Sequence, residues 1–304
     1  MRNYIFILLL LILAVGCSQK SKEELTVQDI EIFRNTIAWD LVQAVDNNDV
    51  SDIKNILLQN PNLVNFQDPV FGTTALMWAV SSEKYNAAET LLENGANPNI
   101  ISKTGTTALF RAVSFSWEDT KANENPKFVK LLLDYKADPN INYCAPKVEG
   151  QTDPIECGTS PLMHSVSRGF EKVKLLVSAG AMINYKTKSG KTAAYEALLM
   201  KDIKAAYFLI VQRKADVTEP YYFYSLINDT LIEKEKPHYP VDLLLDWTFE
   251  LNSSEYKKKK EIIAEFNKQG IDYESRKQQN ISNLILRRIQ KMHPSDWEEY
   301  LKEY

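Results

Sequence analysis

The chain has 304 residues, 44% of them hydrophobic and 25% charged, with a formal net charge of -4. That balance suits one large or two small globular domains and excludes a low-complexity or fibrous chain. It also argues against a nucleic-acid binder, which carries a strongly basic face. The one basic run, residues 257–260 (KKKK), is flanked by Glu255 and Glu261 and reads as a solvated helix face.

At the start, Met1-Arg2-Asn3 is short and basic, residues 4–15 (YIFILLLLILAV) are wholly apolar, and Gly16-Cys17 closes the run. Charge, apolar core and small-residue site in that order make a secretory signal peptide. The apolar run is too short for the ~20 residues that a membrane-spanning helix needs. Leu13-Ala14-Val15-Gly16-Cys17 resembles the bacterial lipobox, except that Ala14 stands where the pattern has Leu. The resemblance implies that residues 1–17 are a lipoprotein signal ending in a lipidated Cys17. The alternative is ordinary cleavage near Ala14. Ser18 after the Cys implies sorting to the outer membrane, hence a lipid-anchored location in the bacterial periplasm. Residues 18–35 open with a polar stretch and read as a tether.

Four segments of the middle chain line up in register. They are Gly72-Thr73-Thr74-Ala75-Leu76-Met77-Trp78-Ala79, Gly105-Thr106-Thr107-Ala108-Leu109-Phe110-Arg111-Ala112, Gly158-Thr159-Ser160-Pro161-Leu162-Met163-His164-Ser165 and Gly190-Lys191-Thr192-Ala193-Ala194-Tyr195-Glu196-Ala197. Each leads to an apolar helix and a terminating turn, for example Leu91-Leu92-Glu93-Asn94-Gly95-Ala96-Asn97-Pro98-Asn99. Thr74 and Thr107 are 33 residues apart. The pattern resembles the ankyrin repeat, whose period is about 33 residues. The resemblance implies an all-α solenoid of about five helix-pair units with short hairpin loops, spanning residues 36–220. The first unit, residues 39–45 and 50–58, stands as an N-terminal cap. Thr or Ser in front of each first helix supplies an N-cap oxygen. Gly after the second helix permits the left-handed residue that ends it. The family's His position holds Met77, Phe110, Met163 and Tyr195 instead, so apolar stacking must replace that local network. His164 lies one place further on and does not inherit the role.

Two insertions break the period. One lies between Ala112 and Leu132. The other, between Asn140 and Gly158, contains Cys144 and Cys157. In an exported protein an even pair of cysteines reads as a disulfide. Residues 221–304 read as a helical C-terminal cap, with periodicity predicting helices over 221–235, 241–251, 254–269 and 275–290.

No catalytic residues, metal ligands or cofactor motif stand out. The three histidines, His164, His238 and His293, lack ligand spacing, and neither a nucleophile elbow nor a phosphate loop is present. What remains is surface. Ankyrin arrays bind through hairpin tips and the ends of the first helices. By position the tips supply Val70, Phe71, Ile101, Lys103, Thr104, Glu156, Lys188 and Ser189, and a helix end supplies Arg168. The insertions add Phe115, Trp117 and Tyr143, residue types enriched at interface hot spots.

Lipobox, ankyrin array and helical tail together resemble the membrane-tethered immunity proteins paired with phospholipase effectors of the type VI secretion system. That resemblance rests on architecture alone. It implies a protein partner, a secreted phospholipase effector, bound by a monomeric chain in a 1:1 complex without cofactor or nucleic acid. A periplasmic scaffold or adaptor for envelope or stress-response proteins is the alternative. A hydrolase hidden in residues 221–304 is a third reading.

Overall fold

In the computed structural model, the described residues are 25–114, 124–146, 155–222, 226–227, 230–231 and 237–304. Cys17, Phe115 and Trp117 lie outside them. The fold is an all-α ankyrin solenoid, with one two-residue-per-strand antiparallel hairpin, Leu226–Ile227 and Thr230–Leu231.

Five helix pairs follow one another: α1 (Trp39–Asp46) with α2 (Val50–Gln59), α3 (Ala75–Ser81) with α4 (Tyr85–Glu93), α5 (Ala108–Ala112) with α6 (Lys127–Asp134), α7 (Pro161–Ser165) with α8 (Phe170–Ser178), and α9 (Ala193–Leu199) with α10 (Ile203–Ala206). The last continues into a π-helical turn, Tyr207–Gln212. The first helices of α3, α5, α7 and α9 begin for one local reason. Thr74, Thr107, Ser160 and Thr192 each turn an extended backbone, and their hydroxyls accept the N–H of Met77, Phe110, Met163 and Tyr195 at 3.2, 3.1, 3.1 and 3.1 Å. The four donor residues, Met77, Phe110, Met163 and Tyr195, fill the family's His position and are all buried, at 1–3% exposure. Apolar stacking therefore does the work there.

The units are stitched on their outer side by a ladder of side-chain amides. Asn65 Nδ2 donates to the Gly95 carbonyl and its Oδ1 accepts the Asn97 N–H. Asn99 and Asn140 repeat the pattern on Lys136–Asp138 and Gly180–Met182. Asn184 accepts the Asp216 N–H. Each amide satisfies backbone groups of the turn that follows a helix.

Four details differ from expectation. The presumed tether is folded at its end: residues Ile30–Phe33 form a 3-10 turn, and Ile32 and Phe33 are 2% and 0% exposed against the first unit. Phe33 meets Trp78 edge-on at 6.4 Å, because an end repeat must cover its stacking face. The described part of the helix expected over 221–235 is not helical: Leu226–Ile227 and Thr230–Leu231 pair as strands. Tyr221 exchanges backbone bonds with His238, and the Tyr222 N–H reaches the Ser189 carbonyl at 2.8 Å, so this backbone takes the place of another hairpin tip. The helix predicted over 241–251 stops at Leu244, and the one predicted over 275–290 is broken into α13 (Tyr273–Asn280) and α14 (Asn283–Met292), where Ser282 caps the second piece.

The stacking also runs past residue 220. The helices α11 (Pro240–Leu244) and α12 (Ser254–Lys268) pack on α9 and on the α10 and π-turn segment. Gln269 then closes the amide ladder, donating to the Ala215 carbonyl and accepting the Val217 N–H. Beyond it, α13, α14 and α15 (Trp297–Glu303) cap the end. Their core holds Lys259, 0% exposed, whose Nζ donates to the Trp247 carbonyl at 2.8 Å and sits 3.5 Å from the Tyr304 ring centre. Burial drives this ammonium well below its ordinary pKa. No described helix is long and apolar enough to cross a membrane.

Candidate protein-binding groove

The hairpin tips form a connected row along one side of the first helices. The Lys103 N–H donates to the Phe71 carbonyl at 2.8 Å, and Lys103 Nζ reaches the Pro69 carbonyl at 2.6 Å. Asp68, 1% exposed, sets the first tip by accepting the N–H groups of Val70, Phe71 and Thr73. The next tip is joined to the inserted loop: the Cys144 N–H donates to the Gly105 carbonyl at 3.3 Å. Tyr143 pairs with Gly158 and Thr159 through the backbone. Cys144 and Cys157 are disulfide-bonded, their Cα atoms 4.2 Å apart. Across the bond, Glu156 accepts from the Ser189 N–H at 2.9 Å and the Ser189 hydroxyl at 2.5 Å, with Lys191 Nζ at 3.5 Å. The loop thus ties two neighbouring tips together. Replacing both cysteines by Ser is expected to cost about 2 kcal/mol, read as lost amide protection at Tyr143 and Gly158. Two alkylatable thiols in the purified, unreduced protein would refute the bond.

The structure sorts the expected contact residues. Ile101, 52% exposed, and Lys103 and Lys188 stand open on the tips; Val70, Phe71, Thr104, Glu156 and Arg168 are half-buried. Leu199 and Met200, at the end of α9, add exposed apolar surface at 38% and 51%. Two expectations need correction. Ser189 is 1% exposed because its hydroxyl and N–H are spent on Glu156, so it positions the tip instead of meeting a partner. Tyr143 is 7% exposed because it stacks on Phe110, ring centres 5.2 Å apart.

Behind the groove lies a column of buried polar groups that the sequence did not announce. Arg111 donates to the Thr106 and Thr73 hydroxyls, both at 3.2 Å, and burial pushes its guanidinium down to about 10. Lys172, 0% exposed, reaches back to the Ala112 carbonyl at 2.8 Å; burial, aided by Arg168, lowers it to about 8. Arg168 itself donates to the His164 carbonyl at 2.6 Å. His164 stacks on Phe110 with ring centres 4.5 Å apart, and its Nε2 lies 3.0 Å from the Ser114 hydroxyl.

A Ser–His pair invites a catalytic reading, and its geometry answers it. Ser114 Oγ donates its one proton to the Phe110 carbonyl at 2.9 Å, which leaves His164 Nε2–H as the donor of the shared bond. Burial first, then Arg168 and Lys172, hold the imidazole at about 3. A general base for neutral pH needs a pKa near 7. Among the described residues no cluster of three or more His, Cys, Asp or Glu side chains is placed to hold a metal ion.

Among known proteins, a family model described as ankyrin repeats matches residues 41–143 and 121–220. The chain is similar to ankyrin repeat protein FPV031 of fowlpox virus (strain NVSL), 33% identical over 153 residues, which cover 49% of this chain and 40% of that protein. It is also similar to a nuclear factor NF-kappa-B subunit of Gallus gallus, 26% identical over 178 residues, 56% of this chain and 16% of that one. A second fowlpox ankyrin repeat protein, FPV014, is 28% identical over 189 residues, 52% of this chain and 39% of that one. The matched region spans less than half the length of each of these curated relatives.

Proposed function

This chain belongs to the ankyrin-repeat family, and from that premise we propose that it is a membrane-anchored immunity protein of the bacterial periplasm that binds and neutralises a secreted type VI phospholipase effector. Ankyrin repeats are a protein-binding module. The observation that carries the reading is the row of hairpin tips, fixed by backbone bonds and extended by a disulfide-closed loop, on a chain that begins with a lipobox-like leader. A surface ordered before binding loses less entropy on association. Tethering it to a membrane raises its local concentration where a lipase must act. Inhibition by covering the lipase asks no chemistry of this chain.

The decisive experiment mixes the purified chain with the product of any effector gene found beside its own. The expected result is a stoichiometric complex, loss of lipase activity, and cells that become sensitive to their siblings when the gene is deleted. Phe71→Ala is expected to cost about 2 kcal/mol of that binding. No binding, no inhibition and resistant deletion cells would replace immunity by the scaffold reading. The anchor is tested separately. Cys17→Ala should move the chain from the membrane fraction to a soluble or unprocessed form, since acylation contributes about 0.8 kcal/mol per buried methylene. Unchanged partitioning of that variant would remove the lipoprotein reading.

A further inference from the structure

A pocket of about 180 Å³ opens within the groove, between the ends of α3 and α5 and the inserted loop. Its apolar walls include Val80, Phe110, Phe128 and Tyr143, of which Phe110 is 2% exposed and packed face to face with Tyr143. Its polar lining includes Ser81, Thr104, Thr106, Ser114, Glu83 and Arg111. The hydroxyls of Thr104 and Thr106 are engaged with Ser102, and that of Ser114 with Phe110 and His164. Ser81 differs. It is 7% exposed, and its Oγ is buried with no hydrogen-bond partner among the described residues. A buried hydroxyl left in that state is unfavourable and calls for explanation.

We propose that this pocket receives a tyrosine side chain of the protein partner, its ring between Val80, Phe110 and Phe128 and its hydroxyl toward Ser81. The inference rests on the protein-binding reading and not on the partner's being a phospholipase. Size fits, because a cavity of about 150 Å³ holds a benzene ring. Charge narrows the choice. An acidic side chain would meet Glu83, a basic one would meet Arg111, and a hydrocarbon would leave Ser81 unanswered. A phenol is neutral, and it both donates and accepts. Tyrosine also supplies a large apolar body with a polar tip, which is why it anchors so many interfaces.

The test titrates p-cresol and toluene separately into the purified full chain, read by methyl NMR at Val27, Val80, Ala112 and Ile155, all lining residues. The expected result is saturable shifts at those methyls, with p-cresol bound about five-fold tighter than toluene, the worth of one hydrogen bond. Ser81→Ala should abolish that preference and spare toluene binding. Ala112→Phe, which adds bulk to the pocket, should abolish p-cresol binding. Equal affinity for the two probes would overturn the proposal, as would shifts outside the pocket. Binding that emerges only in Phe115→Ala or Trp117→Ala would show the chain's own insertion to be the occupant, and would overturn it too. Undiminished partner affinity in Ala112→Phe would overturn the pocket's role while leaving the groove reading intact. Failure to bind a phospholipase bears on the immunity reading alone, since the probe titration does not use one.

Discussion

Gly105→Ala is expected to destabilise the chain by about 4 kcal/mol, by forcing apart a hairpin tip and the loop laid across it. Gly105 has φ +74°, and a Cβ there would lie 2.2 Å from the Cys144 carbonyl oxygen, 2.3 Å from its carbon and 2.6 Å from the Ala145 nitrogen. All three are backbone atoms, so no side-chain rotation relieves the clash. Cys144 is also held by its bond to Cys157. A left-handed backbone costs an L-residue about 1–2 kcal/mol, and overpacking of a tight site about 1–3 kcal/mol more. Gly95→Ala is the control. Its φ is +88°, but nothing lies within 4 Å of an added Cβ, so the backbone penalty stands alone. The equivalent place in the next unit already carries a residue with a Cβ, Lys136 at φ 64°. Urea titrations of the two variants decide the matter: equal destabilisation would show that close approach contributes nothing at Gly105.

That contrast also shows which parts of the molecule were legible in the sequence. The repeat phase, the Thr and Ser caps and the glycine turns are local devices, each set by residues within one turn of one another, so a linear reading finds them. The continuation into α11 and α12 keeps too little of the repeat's spelling to be placed from the sequence, which leaves room only for one or two degenerate repeats somewhere in residues 221–304. Tyr239-Pro240-Val241 replaces the usual helix opening, and the ladder amide comes from Gln269 in place of an Asn. What persists there is a packing relation, and packing relations need not keep the letters. The same holds for the site. Tip positions follow from the period, and Ile101, Lys103 and Lys188 are exposed there. Ser189 was misjudged because its bond partner, Glu156, is 33 residues away in an insertion of irregular length. The buried column of Arg111, His164 and Lys172 was missed for a related reason. A charged or polar letter on a helix reads as solvent-facing unless the neighbour that covers it is known, and here the cover comes from adjoining units.

His164 supplies the other large effect, an acid-side loss of stability with a specific cure. The ring is 7% exposed, stacked on Phe110, and flanked by Arg168 and Lys172. Burial and those two cations push its pKa from 6.5 down to about 3. The folded imidazole therefore stays neutral at a pH where the unfolded one takes up a proton. Because the unfolded state binds more protons between about pH 6.5 and 3, stability rises with pH through that window and is lost as pH falls. One pKa unit corresponds to about 1.4 kcal/mol, so the loss from this group between pH 7 and pH 5 is about 2 kcal/mol, growing toward the acid end. His164→Phe keeps a ring against Phe110 and leaves no donor stranded, since Ser114 still donates to the Phe110 carbonyl. Arg168 is also undisturbed, because its bond is to the backbone carbonyl of residue 164. The variant should thus be close to wild type at pH 7 and about 2 kcal/mol more stable than wild type at pH 5. Chemical denaturation at the two pH values measures the difference directly. If wild type and variant lose the same stability on acidification, the titrating group is not His164, and the buried carboxyl of Glu196, whose pKa burial raises, cannot be the substitute. A raised carboxyl gains relative stability as pH falls, which is the opposite sign.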